Sequence, residues 1–187
     1  MRLSHLVLTT LALSGCAARN MPPLTGPAPS APVSTQEAAL ASTEPAPLGF
    51  TVKRYPGGEP HAIADDRGNV VLLDVWATWC EPCRDALPMY ENLAKHYAAR
   101  GLKVYALNVD EDTRAIPTFV QETKVSLPIL LDANAEIADK VLRVRVMPTT
   151  VLIDRKGMVR YVHEGFAEEF LAKYQSEIEL LLAEPAK

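Results

Sequence analysis

From Leu48 to Lys187 the apolar residues fall into two kinds of run, short near-continuous ones and longer ones spaced by three and four. That order predicts alternating strands and helices. Phe50 to Arg54 and His61 to Ile63 predict short strands on either side of a Pro56-Gly57-Gly58 turn. Val70 to Trp76 is apolar except at Asp74, the pattern of a strand buried on both faces. Pro82 to Arg100 predicts a helix with Leu87, Tyr90, Leu93, Ala94 and Tyr97 on its inner face, Pro88 as a kink and Gly101 as the stop. Leu102 to Val109 follows as a second buried strand. Strand, helix and strand in this order require a right-handed parallel crossover.

The second half continues the alternation. Asp112 to Lys124 predicts a helix weakened at Pro117, and Leu127 to Leu131 is short enough to predict only an added edge strand. Glu136 to Leu142 predicts a short helix. Thr149 to Asp154 and Met158 to Val162 form a hairpin through Arg155-Lys156-Gly157. Ala167 to Ala183 closes the chain as an amphipathic helix carrying Phe170, Leu171, Tyr174, Ile178, Leu181 and Leu182. No internal repeat is present.

Before Leu48 the pattern is different. Arg2 followed by the apolar run Leu6 to Leu13 reads as a signal peptide over residues 1–15, far short of the roughly 20 residues a spanning helix needs. Residues 17–47 hold seven of the chain's fifteen prolines and no aromatic residue, so they cannot bury enough apolar surface to offset ordering. Residues 16–47 are read as an extended tether, with a pro-peptide as the alternative.

Composition narrows the function. Asp and Glu outnumber Lys and Arg by 23 to 19 among 187 residues, with the signs interspersed, which gives no basic stripe for nucleic acid. A protein partner fits better. Three cysteines in an exported chain leave one to explain. Cys16 ends Leu13-Ser14-Gly15-Cys16, which resembles the lipobox of bacterial lipoproteins; the resemblance makes Cys16 the lipid-attachment residue and the lipid the only membrane anchor. The alternative is a conventional cleavage near Ala17 or Ala18 that discards Cys16. Ala17 lacks the Asp that marks inner-membrane retention in enteric bacteria, which for a Gram-negative source favours the outer membrane, facing the periplasm; the alternative is a membrane facing the cell exterior.

The other two cysteines stand as Cys80-Glu81-Pro82-Cys83, directly after a buried strand and at a helix start. Unpaired backbone N–H groups and the positive end of the helix dipole converge there and stabilise a thiolate. Cys80 is thus expected to be the exposed nucleophile and Cys83, within one helical turn, the shielded resolving thiol. A structural zinc needs four ligands, and no second cysteine pair is present while His61, His96 and His163 stand singly. A structural disulfide is the other alternative, but so short a loop restrains the unfolded chain little.

These residues carry a family resemblance. Leu73-Asp74-Val75-Trp76-Ala77-Thr78-Trp79-Cys80-Glu81-Pro82-Cys83 resembles the active-site strand and helix start of thioredoxins, and Val146-Met147-Pro148-Thr149-Thr150-Val151-Leu152-Ile153-Asp154 resembles their cis-proline loop. The Glu-Pro dipeptide and the extra segment Asp112 to Leu131 are most similar to the membrane-tethered TlpA/ResA branch. The resemblance implies an α/β thioredoxin-like fold over residues 48–187, a central mixed sheet flanked by helices with a TlpA-type insertion. It also implies reduction of protein disulfides, as in cytochrome c maturation or general periplasmic thiol reduction, with electrons from an upstream membrane donor. No diffusible cofactor is required. By the same resemblance Pro148 follows a cis bond beside the cysteines and Met147 meets the substrate backbone; position alone would favour trans.

Further residues around the motif complete the reading. Trp79 is a candidate substrate-facing wall, whereas Trp76 is expected in the core. Asp74, a carboxylate in an apolar run, is a candidate acid-base with a raised pKa, the alternative being a strand-end group in water. It matches the buried aspartate of thioredoxins, while Ala86 occupies the position where the TlpA/ResA branch commonly has a glutamate. Asp85 is the competing base. Glu81 opposes the Cys80 thiolate and favours a reductant, with Pro82 beside it as a second tuning residue and Arg84 acting against. The alternatives in function are an oxidase and a Cu(I) metallochaperone with Cys80, Cys83 and Met147 as soft ligands.

Overall fold

The computed structural model describes residues 49–185. The expectations for the signal peptide, Cys16 and the tether, and the domain start at Leu48, lie outside the described residues.

Seven strands form one mixed sheet in the order β2-β1-β5-β4-β3-β6-β7. They are β1 (Thr51–Tyr55), β2 (Pro60–Ala62), β3 (Val70–Trp76), β4 (Leu102–Asn108), β5 (Ile129–Leu131), β6 (Thr149–Ile153) and β7 (Val159–Glu164). β3, β4 and β5 run parallel to their neighbours in that set, and all other pairs are antiparallel. β3 is buried at every position, as its apolar run requires.

Three α-helices, α1 (Glu81–Tyr97), α2 (Ile116–Thr123) and α3 (Leu171–Ala183), pack on one face of the sheet. The two-residue period of β3 sends Val70, Leu72 and Trp76 to that layer and Val71, Leu73 and Val75 to the other. The second layer is closed by Phe50, Val52, Ile63 and the π-helical turn Ile137–Val141.

Three expectations are corrected. β5 is not an edge strand: Lys53 of β1 pairs with Leu131 on one side and Ala106 of β4 with Ile129 on the other. Its length misled, because burial on two sides takes only three residues when both neighbours supply the remaining surface. Pro117 is not a weak point but sits in the first turn of α2, where a missing N–H costs nothing. The long first helix ends at Tyr97, and Ala98–Arg100 continue as a 3-10 turn closed by Gly101 at φ 94°. Pro88 lies inside α1. Among the described residues no helix is long and apolar enough to cross a membrane.

Candidate functional site

Cys80 and Cys83 form a disulfide at the N-terminus of α1, with Cα atoms 5.4 Å apart. Cys80 is the N-cap and its side chain makes no capping hydrogen bond; the Cys83 N–H donates to the Cys80 carbonyl at 3.2 Å, and the positive end of the helix dipole lies at the disulfide. Pro82 falls in the first turn, where it needs no hydrogen bond. Cys83 is fully buried, and Cys80 is only 5 % exposed. Cys80 is therefore not the openly exposed residue that the motif suggested: bonded to Cys83, it packs into the helix-side core with Ala77 and Ala86.

The loop into the motif is held by a residue the sequence reading passed over. Asp110, just past β4, accepts from the Thr78 N–H at 2.9 Å, the Thr78 hydroxyl at 3.2 Å and the Asn108 amide at 2.8 Å. Asp110 is buried and fully engaged. The signal for it was the polar pair Asn108 and Asp110 closing a buried strand.

Trp79 is 70 % exposed beside the disulfide, on a groove lined also by Val109, Glu111, Asp112 and Ala115. Trp76 is fully buried, 4.6 Å from Phe119. Met147 is half-buried and Pro148 buried; the Met147–Pro148 peptide is cis, and the Pro148 carbonyl accepts from the Gly165 N–H at 2.7 Å. Val146 leaves half of its apolar surface in water next to them. Glu81 and Asp85 are both exposed. Arg84 does not point freely to solvent: it pairs with Glu122 of α2 and lies 5.0 Å over the Phe119 ring.

Asp74 is fully buried, which removes the alternative of a strand-end group in water. Thr150 donates to its Oδ1 at 3.0 Å, while Oδ2 has no hydrogen-bond partner. Desolvation raises its pKa well above the ordinary value, and the Thr150 hydrogen bond only partly opposes this. The period of β3 puts Asp74 on the α1 side with Leu72 and Trp76. Above it, Cys83, Ala86, Leu87 and Tyr90 form the buried stripe of α1. Among the described residues no group of three or more His, Cys, Asp or Glu side chains could hold a metal ion.

Known proteins are similar to this chain. The AhpC/TSA family matches residues 43–162. The thioredoxin-like protein YneN of Bacillus subtilis is 35% identical over 135 residues, covering 71% of this chain and 76% of its own. The thiol-disulfide oxidoreductase ResA of Geobacillus kaustophilus is 32% identical over 131 residues, 70% of this chain and 74% of its own. A crystal structure from Chlorobium tepidum, assigned as a DsbE-type thiol:disulfide interchange protein, superposes with a TM-score of 0.70 at 30% identity, covering 75% of this chain and 97% of that one. With a helix-capping cysteine pair on a thioredoxin-like sheet, the chain belongs to the AhpC/TSA family, as a thiol-disulfide oxidoreductase.

Proposed function

We propose that this chain reduces protein disulfides outside the cytoplasm through Cys80 and Cys83. The observation that carries the reading is the disulfide at the uncapped start of α1, with its less buried cysteine first in sequence. In the reduced protein the Cys80 thiolate attacks a substrate disulfide and forms a mixed disulfide. Cys83 then loses its proton to Asp74, attacks Cys80 Sγ and releases the substrate thiolate. Trp79, Val146 and Met147 supply the apolar surface on which the substrate rests, beside Pro148.

Glu81 supports the reducing direction, since a carboxylate next to Cys80 destabilises the thiolate and so the reduced form is less favoured than in strong oxidants. Arg84 is held by Glu122 and also shares its charge with Glu81 and Asp85, so it offsets that effect only in part. The expected potential lies nearer about −270 mV than about −120 mV, and a value well above about −180 mV would assign an oxidase or isomerase instead. Lipidation at Cys16 and the tether of residues 16–47 would keep the domain at a membrane surface, the outer membrane by the absence of Asp after Cys16. Release of Cys16→Ser from the membrane fraction tests this; unchanged retention with normal maturation refutes it.

The decisive experiment is trapping with Cys83→Ala. The stalled species should be a mixed disulfide between Cys80 and a cysteine of an exported protein, for instance one awaiting haem attachment. Recovery of no Cys80-linked protein, with stoichiometric Cu(I) bound by the reduced wild type, would favour the metallochaperone reading.

A further inference from the structure

One row of polar side chains crosses the otherwise apolar α1 face of the sheet. Asp74 of β3 is in register with Ala106 of β4 on one side and Thr150 of β6 on the other, and Thr150 with His163 of β7. Cross-strand partners share a face with Cβ atoms about 4.5–5.5 Å apart, so Asp74, Thr150 and His163 stand side by side. The Thr150 hydroxyl lies 3.0 Å from Asp74 Oδ1 and 2.8 Å from the Tyr90 hydroxyl of α1. Tyr174 of α3 roofs the row, its ring 5.9 Å from Tyr90 and 4.6 Å from His163. The Tyr174 hydroxyl is buried and makes no hydrogen bond of good geometry, although it lies against Tyr90 and Thr150.

The row reaches water at one end only. His163 Nε2 is 2.6 Å from Glu177 Oε2 of α3, and these side chains are 13% and 10% exposed, whereas Asp74 and Thr150 are fully buried. At the other end Ala106 offers no polar group. Burying unpaired polar atoms is costly, so an unpartnered carboxylate oxygen and an unpartnered phenol in one row make an arrangement that packing alone does not favour.

The carboxyl has a task that uses such a row. To accept a proton from Cys83 it must first be empty, and burial makes it hold its proton more firmly than an exposed carboxyl does. We propose that Thr150, Tyr90 and Tyr174 carry protons between Asp74 and the surface, and that His163, held by Glu177, is the solvent-side port. During resolution the Cys83 proton passes to the Asp74 carboxylate and the Cys83 sulfur bonds to Cys80 Sγ. The bond from Cys80 to the substrate sulfur breaks, and its electron pair leaves on the substrate thiolate, which takes a proton from water. The dithiol is oxidised and the substrate disulfide reduced. The proton on Asp74 then leaves along the hydroxyls to His163 and water, which restores the carboxylate. Asp74 is faced by Thr150 from β6, Tyr90 from α1 and Tyr174 from α3. His163 is faced by Tyr161 of its own strand and by Tyr174 and Glu177 of α3, and of all these only Glu177 is an acid.

The inference rests on the reading of Asp74 as base, and the test separates the two. The reduced full chain is mixed rapidly with the chromogenic disulfide dithiobis-nitrobenzoate, whose first thiolate reports attack by Cys80 and whose second reports resolution by Cys83. Wild type, Asp74→Asn, His163→Gln and Tyr174→Phe are compared after a jump from acid to neutral pH. His163→Gln keeps a hydrogen bond to Glu177 but exchanges no proton, and Tyr174→Phe removes one hydroxyl. Both should slow only the second phase, by about tenfold, below the roughly 10²–10⁴-fold ceiling for losing the base itself. Their effects should not multiply in the double variant, and added imidazole should restore the rate of His163→Gln but not that of Asp74→Asn. A second phase unchanged in His163→Gln and Tyr174→Phe but slow in Asp74→Asn overturns the route and leaves the base in place. Slowing without imidazole rescue reduces His163 to a packing role and also overturns the route. A second phase as fast in Asp74→Asn as in wild type overturns the base and the route together.

Discussion

Trp76 and Trp79 are three residues apart and meet opposite environments, because the chain leaves the sheet between them. Trp76 ends β3 inside the helix-side core, while Trp79 stands on the turn that Asp110 pins through Thr78. Trp76→Ala should cost about 3–5 kcal/mol of stability, as for other fully buried large aromatics. Trp79→Ala should stay within about 0.5 kcal/mol of wild type in denaturant unfolding. Its effect should fall on function: lower kcat/KM for a folded protein disulfide and little change with a small disulfide, since only the larger substrate uses the apolar wall. Equal losses on both substrates would mean that Trp79 acts on the cysteines and not on the substrate. At this scale the sequence was informative where one residue breaks a pattern, as Asp74 does in β3. It was silent where a partner is chosen by strand register. Nothing in the spacing of Thr150, His163 and Tyr174 announces that they meet, since they come together only when β6 pairs with both β3 and β7.

The longer elements were legible from their pattern alone. Val70–Trp76 stands where its apolar run put it, because a strand buried on both faces has a pattern no surface element shares. β5 was misplaced at an edge because three residues carry almost no periodicity, and its position depends on two neighbours. That position has a measurable consequence. β5 joins the β1–β2 pair to β4, and Leu130, fully buried in the second layer, is the residue that fills the junction. Leu130→Ala should cost about 2–5 kcal/mol, the range for a core leucine. Hydrogen exchange should quicken in β1 and β2 before it does in β3, since only the former are attached through β5. Uniform quickening across the sheet would show that the β1–β2 pair has no separate attachment to lose.

Across the whole molecule, the cysteine chemistry is concentrated on one side of the sheet, and two buried carboxyls there pull the pH dependence of stability in opposite directions. Glu91 of α1 is held down to about 2, first by Lys95 and then by the Ser126 hydroxyl and amide, which ties α1 to the segment leading into β5. Its folded value lies below the ordinary glutamate value of about 4.3, so its contribution is fully present above that value and is lost as pH falls toward 2. Asp74 has the reverse sign. Its folded value lies above the ordinary aspartate value of about 3.9, so the unfolded chain releases the proton first as pH rises. The folded state loses stability from that point until the buried carboxyl ionises as well. Glu91→Gln should therefore lower Tm at neutral pH and converge with wild type in acid. Asp74→Asn should raise Tm at neutral pH, by a margin that closes as the pH falls below about 3.9, because both forms are then neutral. Thermal unfolding of the oxidised chain across this range reads both effects, with the disulfide intact so that thiol ionisation does not contribute. A gain in Asp74→Asn that keeps growing to the highest pH, with no plateau, would mean that the folded carboxyl keeps its proton throughout, and it could then serve Cys83 only as a hydrogen-bond donor and not as its base.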